Sequence, residues 1–275
     1  MDLSKILIMI KRQHYLNYIR FYMKLKIFSY KTRNLFIYNG NCESILKTIS
    51  KKSVDLIIAD PPYNLSKGST LEFRNNKKQK GFGGNWTKII ESWDNIELTD
   101  YFLFTYNWIE SCKNVLKDTG SMWIHGTYHN IGIINFILQL LEIEIINEVI
   151  WYKRNSFPNL RGRRLTASHE TILWCHTGKK KREYFFNYDY SKKSFFKEDL
   201  LKFKDKQMRT VWDIPNNKHK DELAHGKHPT QKPERLIDRM IKISSKKNDL
   251  MLCPFSGSGT ECVVAFKNKM KFIGI

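Results

Sequence analysis

VDLIIADPPY, residues 54–63, sets an apolar run against an acid, two prolines and a tyrosine. Val54–Ala59 reads as a strand buried on both faces, the mark of a parallel sheet covered by helices. The run ends on Asp60, and an acid in an apolar setting is costly unless something pairs with it. Such an Asp serves either as a turn or helix cap or as an acceptor for a ligand's N–H groups. Pro61 and Pro62 each fix φ and lack a backbone donor, and Pro62 also restricts Pro61. The loop is therefore stiff and presents carbonyl oxygens with no N–H beside them. Tyr63 adds a flat ring. Two acceptors and a stacking face suit an exocyclic amino group on a planar base.

Outward from this stretch, strands and helices alternate. Leu35–Tyr38, Met122–His125, Glu144–Tyr152, Thr171–Cys175, Leu250–Leu252 and Phe272–Ile275 read as strands. Cys42–Ile49, residues 101–116, Ile131–Leu141, Pro233–Ser244 and Glu261–Lys267 read as helices, with KDTG (117–120) ending the second. This alternation predicts a parallel sheet with helices on both faces, whose ligands bind beyond the carboxyl ends of the strands. Asp60 and Pro254 both stand at such ends. Residues 64–95 are polar and glycine-rich, a loop length that usually carries function. Residues 177–225 are charged and aromatic with weak periodicity, and read as an inserted or appended region.

PFSGSGT (254–260) follows a strand and opens a helix, and its glycines let the backbone approach a ligand closely. It is neither of two phosphate-binding motifs. A P-loop requires a lysine that is absent, and Cys262 occupies the third glycine of a dinucleotide fingerprint.

The 275 residues carry a formal net charge of +20. Such a surface attracts a polyanion, of which nucleic acid is the commonest. Half the excess lies in residues 151–210, which hold 16 basic and 6 acidic side chains. The 5 cysteines form no C-x-x-C pair, which points to a reduced, cytoplasmic protein without structural zinc. His125 and His129 are four apart but lack an acidic partner, so no metal site is expected. No apolar stretch approaches membrane-spanning length. Residues 1–22 are expected to be an N-terminal extension, outside the native chain if translation begins at Met23, with the domain proper at 23–275.

DPPY followed far downstream by PFSGSGT resembles the amino-methylating DNA methyltransferases, in the β-class order with the catalytic motif first. GKHPTQKPERLI (226–237) resembles the segment before the cofactor loop in that class. GTYHNI (126–131) and PNLRGRRLTASHETILW (158–174) are similar to adenine methyltransferases of the GANTC and GATC types. The resemblance covers roughly residues 35–275. It implies an α/β Rossmann-like methyltransferase fold with a mostly parallel seven-stranded sheet, and a target-recognition region at about 154–225.

The activity so implied is methyl transfer from S-adenosylmethionine to N6 of adenine in double-stranded DNA, with the base swung out of the helix. In that reading the Asp60 carboxylate and the Pro61 carbonyl accept the two N6–H bonds, Pro62 stiffens the loop and Tyr63 stacks on the base. Asp rather than Ser at position 60 favours adenine N6 over cytosine N4. Asn41, Cys42, Asp60, His228, Lys232, Pro254, Phe255, Gly257, Ser258, Gly259 and Thr260 are the implied cofactor residues. Arg154, Arg161, Arg163 and Arg164 are the implied DNA contacts, since arginine binds phosphate and reads guanine. His169 and Glu170, in HETILW, read equally as structural or functional. A homodimer and a cognate restriction endonuclease are partners compatible with the class, and no membrane is involved. Two departures stand out. The family usually has Asp where Cys253 stands, and the acid expected after the next strand would lie beyond Ile275. The alternatives are therefore a cytosine-N4 enzyme or a catalytically impaired DNA-binding remnant.

Overall fold

The computed structural model describes residues 28–64, 96–156, 163–178, 183–199, 203–216, 222 and 231–275. Residues 1–22, Met23, the loop 65–95, Arg161 and His228 lie outside these. Nine strands form one sheet: β1 (Phe28–Lys31), β2 (Leu35–Asn39), β3 (Val54–Ala59), β4 (Leu116–Gly126), β5 (Glu144–Tyr152), β6 (His169–His176), β7 (Val211–Asp213), β8 (Leu250–Cys253) and β9 (Lys271–Gly274). Their order is β1-β2-β9-β8-β3-β4-β6-β5-β7. Pairing is parallel from β2 through β4 and again between β5 and β7, and antiparallel at β1–β2 and on both sides of β6. The mostly parallel sheet agrees with the expectation, and the count of seven is corrected to nine among the described residues. Both edges gain a short strand, β1 by a hairpin and β7 from the region expected to be an appendage.

Side chains alternate between two cores because a strand repeats every two residues. Ile57, Ala59, Met122 and Ile124 face α1 (Cys42–Leu46), α2 (Leu98–Val115) and α3 (Ile131–Leu140). Leu56, Ile58, Trp123, Trp151, Ile172 and Met251 face α5 (Glu234–Ser244) and α6 (Thr260–Lys267). A short α4 (Tyr188–Lys193) precedes β7. Val54, Leu56, Ile57, Ile58 and Ala59 are all 0% exposed, as their apolar run demands. Asp55, inside that run, is accommodated by bonding Lys117 Nζ at 2.6 Å and the Leu250 amide at 2.9 Å, tying β3 to β4 and β8.

KDTG does not follow a helix as a loop. It lies inside β4, where the register against β3 shifts between Val54↔Leu116 and Leu56↔Ser121. The turn residues are accommodated as an irregularity in the strand rather than outside it.

Candidate active site

The register of β3 against β8 pairs Leu56 with Met251 and Ile57 with Leu252. Both strands run the same way, so Asp60 and the Pro254–Gly259 loop emerge side by side, one strand spacing of roughly 5 Å apart. The acid and the glycine loop, nearly 200 residues apart in sequence, thus stand at neighbouring strand ends.

Around Asp60 lies a buried polar cluster on the α5/α6 side of the sheet. Asp60, His125, Lys153 and Glu170 are there by strand parity, each two residues from a side chain of that core: Ile58, Trp123, Trp151 and Ile172. Lys232 Nζ donates to Asp60 Oδ2 at 2.6 Å and lies 3.7 Å from Glu170 Oε2. The Tyr63 hydroxyl donates to Asp60 Oδ1 at 2.6 Å and lies 3.1 Å from Glu170 Oε2. Lys153 Nζ donates to Glu170 Oε1 at 3.0 Å. The Lys232 ammonium also sits 5.2 Å from the centre of the Tyr63 ring.

Burial works to raise the Glu170 carboxyl, but Lys232 and Lys153 outweigh it and hold it down at about 2. Burial works to lower Lys232, but Asp60 and Glu170 win and raise it above its ordinary value. Burial, then Asp60 and Glu170, push the Tyr63 hydroxyl well up, so it remains a donor. His125, 0% exposed, is pushed down to about 4 by burial and stays neutral, and neither ring nitrogen has a hydrogen-bond partner among the described residues. Glu261, 4% exposed in the first turn of α6, is pushed up to about 7 by burial and by the charge of Asp60.

The loop itself is braced. The Tyr101 hydroxyl donates to the Pro62 carbonyl at 2.7 Å and accepts from Asn130 Nδ2 at 3.2 Å. Asn64, buried and left-handed at φ 55°, bonds the amide and carbonyl of Ile96 at 2.9 and 2.8 Å. It thereby brings together the two ends of the chain segment 65–95.

At the glycine loop, Gly257 and Gly259 hold φ of 45° and 80°, which L side chains rarely adopt, and among the described residues beyond its chain neighbours no atom lies within 4 Å of either would-be Cβ. Gly259 N-caps α6 without a side-chain bond. Ser256 N–H donates to Ile275 O at 2.8 Å, and Ser258 Oγ and Thr260 Oγ1 lie 3.2 Å apart. Phe255 meets Trp108 edge-on with centroids 5.3 Å apart, on the α2 side.

Asp60, Pro61, Pro62, Tyr63, Lys232, Pro254, Phe255, Gly257, Ser258, Gly259 and Thr260 thus gather at the carboxyl end of the central strands β3 and β8. Asn41 and Cys42 stand at the end of β2, separated from β8 by β9. The Asn41 side chain caps α1 by accepting from the Ser44 amide at 3.1 Å. Cys42 is packed in the first core with its thiol pushed up to about 12 by burial. Arg154 is exposed and donates to Asp213 at 2.9 Å. Arg164 Nη1 donates to the Tyr128 hydroxyl at 3.1 Å, beside the exposed Arg163 and a Leu165 that is 92% exposed. Among the described residues no group of metal-ligating side chains is present, and no helix is long and apolar enough to cross a membrane.

Lys153 and Glu261 were not legible as site residues. The one signal for Lys153 and Glu170 is that each lies at a strand terminus, just after β5 and near the start of β6, in phase with its buried tryptophan or isoleucine. Their meeting needs the antiparallel Trp151↔Glu170 pairing. For Glu261 there is no signal, because an acid in a helix's first turn is ordinarily a surface feature.

Residues 54–275 match the family model N6_N4_Mtase, described as DNA methylase. The chain is 38% identical over 243 residues to the type II methyltransferase M.HinfI of Haemophilus influenzae, covering 87% of this chain and 64% of that protein. It is 37% identical over 249 residues to the type II methyltransferase M2.LlaDCHI of Lactococcus lactis subsp. cremoris, covering 90% and 86%. The chain therefore spans just under two thirds of M.HinfI. Among solved structures, the cytosine-N4-specific PvuII DNA methyltransferase superposes with a TM-score of 0.65 at 18% identity, over 89% of this chain and 82% of that one. The M1.HpyAVI–SAM complex superposes with a TM-score of 0.55 at 22% identity, over 88% and 92%. At those identities the structural likeness speaks for the fold.

Proposed function

The chain belongs to the DNA methylase family matched over residues 54–275, and from that premise we propose that it transfers a methyl group from S-adenosylmethionine to N6 of adenine in double-stranded DNA. The observation that carries this reading is the parallel pairing of β3 with β8, which sets Asp60 beside the glycine loop. Chemistry between an amino group and a bound methyl donor needs that adjacency.

The residues fit such a cofactor. Open space at the left-handed Gly257 and Gly259 lets a nucleoside approach the backbone, and a buried acid in excess of the nearby lysines suits a cation. When bound, S-adenosylmethionine supplies a methyl group on a positively charged sulfur. The chain's residues supply the rest. Lys232 and the Tyr63 hydroxyl take one lone pair on each Asp60 oxygen and so fix the carboxylate's orientation. The remaining lone pairs are available to an N6–H bond. The Pro62 carbonyl is engaged by Tyr101, which holds the neighbouring Pro61 carbonyl in place for the second N6–H. With both hydrogens held, the nitrogen lone pair leaves ring conjugation and points to the donor. Preorganised charge of this kind needs no rearrangement during the reaction. The net charge of +20 favours the phosphate backbone, and Arg163 and Arg164 lie exposed beyond the carboxyl end of β4.

A second reading, cytosine N4, is favoured by the likeness to the cytosine-N4-specific PvuII enzyme. Labelled methyl transfer to duplex DNA, followed by digestion to nucleosides, separates the two: N6-methyladenine supports the proposal, and N4-methylcytosine replaces it. Absence of any transfer with salt-sensitive DNA binding intact would leave the DNA-binding remnant. In the same assay Asp60→Ala is expected to lower transfer at least 10³-fold while DNA binding persists.

A further inference from the structure

Four charged groups at the end of β3 balance one another: Asp60 and Glu170 against Lys153 and Lys232. Glu261 is a fifth, unmatched charge. It is 4% exposed, and among the described residues no ammonium or guanidinium pairs with it, since Lys232 is engaged with Asp60 and Glu170. Burial first and Asp60 second push its carboxyl up to about 7, against its own amide and the charge of Lys232. Cys253 lies close by, its thiol raised by burial and then by Glu261.

Resting on the methyl-transfer reading above, we propose that Glu261 is the counter-charge for the cofactor's sulfonium and makes the site distinguish charged S-adenosylmethionine from its neutral product. The transferable methyl must reach an amino group held by Asp60, which brings the sulfonium into the neighbourhood that Glu261 shares with Asp60. With Glu261 protonated the cluster is neutral, and with it ionised the cluster carries one negative charge that a single cation matches. Binding of the sulfonium therefore releases the Glu261 proton to solvent. After transfer the sulfur keeps the electron pair of the broken C–S bond as an uncharged thioether and the methylated amino group gives up one N6 proton to solvent; the carboxylate is again unmatched in a low-dielectric setting and regains a proton from solvent. The product is left without that attraction.

The groups facing Glu261 are Asp60 from β3, Lys232 from the segment before α5, Cys253 from β8 and Cys262 on its own helix. Glu234 and Asp238 of α5 engage Lys267 and Asn268 at the far end of α6. Glu170 is at about 2 and His125 at about 4, while Lys232 is raised. Among the groups displaced from their ordinary values in this cluster, only Glu261 titrates between pH 6 and 8.

The test is calorimetric titration of the full chain with S-adenosylmethionine and with S-adenosylhomocysteine at pH 6, 7 and 8. It is run in two buffers of different ionisation enthalpy, for the wild type, Glu261→Gln and Glu261→Asp. In the wild type, affinity for S-adenosylmethionine is expected to rise about tenfold from pH 6 to pH 8 as the fraction ionised rises. Buffer-dependent heat should report proton release at pH 6, and affinity for S-adenosylhomocysteine should change less than about twofold. Glu261→Gln should flatten the first profile and bring the two affinities together, and Glu261→Asp should retain the slope. Parallel profiles for the two compounds in the wild type overturn the inference without any variant and leave the methyl-transfer reading standing. A Glu261→Gln slope equal to that of the wild type does the same. Binding of neither compound at any pH removes the methyl-transfer reading itself, and the inference with it.

Discussion

Replacing Lys232 by Met tests the central cluster most directly. Lys232 is 4% exposed, bonds Asp60 at 2.6 Å and lies 3.7 Å from Glu170. Met keeps the length and apolar stem of the side chain and removes the charge, leaving Asp60 and Glu170 with only Lys153 against them. Breaking a buried pair by removing one partner costs about 3–5 kcal/mol, because the other charge stays behind uncompensated. A second route agrees in size: holding the 12%-exposed Glu170 at about 2 rather than 4.5 is worth about 3 kcal/mol at neutral pH. For a chain of this length each kcal/mol moves Tm by roughly 2–4 °C, so Lys232→Met is expected to lower Tm by roughly 6–20 °C at pH 8. The deficit should depend on pH. The folded value for Glu170 lies below the unfolded one, so its stabilisation is complete above about 4.5 and fades as pH falls through about 2. In the variant the Glu170 carboxyl rises, protonation at mildly acid pH relieves the unmatched charge, and the gap to the wild type should narrow between pH 8 and pH 5. Differential scanning calorimetry of both proteins at the two pH values decides it. An unchanged Tm at pH 8, or a gap that stays constant on acidification, would refute the view that Lys232 neutralises buried carboxylates.

Tyr63→Phe removes the hydroxyl that contacts Asp60 and Glu170 but keeps the ring. Single-turnover transfer is expected to slow about tenfold or more with DNA affinity within about twofold, whereas equal losses in both would place the hydroxyl in binding. Gly259→Ala adds no clash but forces a Cβ onto a left-handed residue at φ 80°. It should cost roughly 1–2 kcal/mol in stability by chemical denaturation and weaken cofactor binding in titration, while an unchanged midpoint would count against strain there. Arg163→Ala and Arg164→Ala should each weaken duplex binding and lower the slope of log affinity against log salt by about 1. An unchanged slope would mean that the side chain does not touch phosphate.

The alternation of apolar runs with helical segments was enough to place β3, β5 and α3 within a residue or two, because each is long and its periodicity is unmixed. The β4 segment was harder: KDTG reads as a stop, yet the strand runs from Leu116 because the bulge against β3 absorbs the turn-forming residues. β7 was not legible, since VWD is three residues long and is a strand only by pairing with the end of β5. The region between residues 177 and 225 looked like an appendage for a similar reason. Its anchor is the buried pair between Asp199 and Arg239 at 2.6 Å, which joins two segments with no local sign of each other.

By itself, the sequence determined the family, the stiff DPPY loop, the glycine turn and the net charge that suits a polyanion. Each is written in neighbouring residues or in simple sums over them: φ limits at proline, freedom at glycine, a strand's twofold repeat, a count of charges. Only the tertiary structure decided that Lys232 bonds Asp60, that Lys153 and Glu170 join them, and that Glu261 is buried there with no cation paired to it among the described residues. Those contacts arise from the register between strands that are remote in sequence, and from the burial that follows. A side chain's charge state depends on which groups share its low-dielectric surroundings, and no local pattern of residues encodes that.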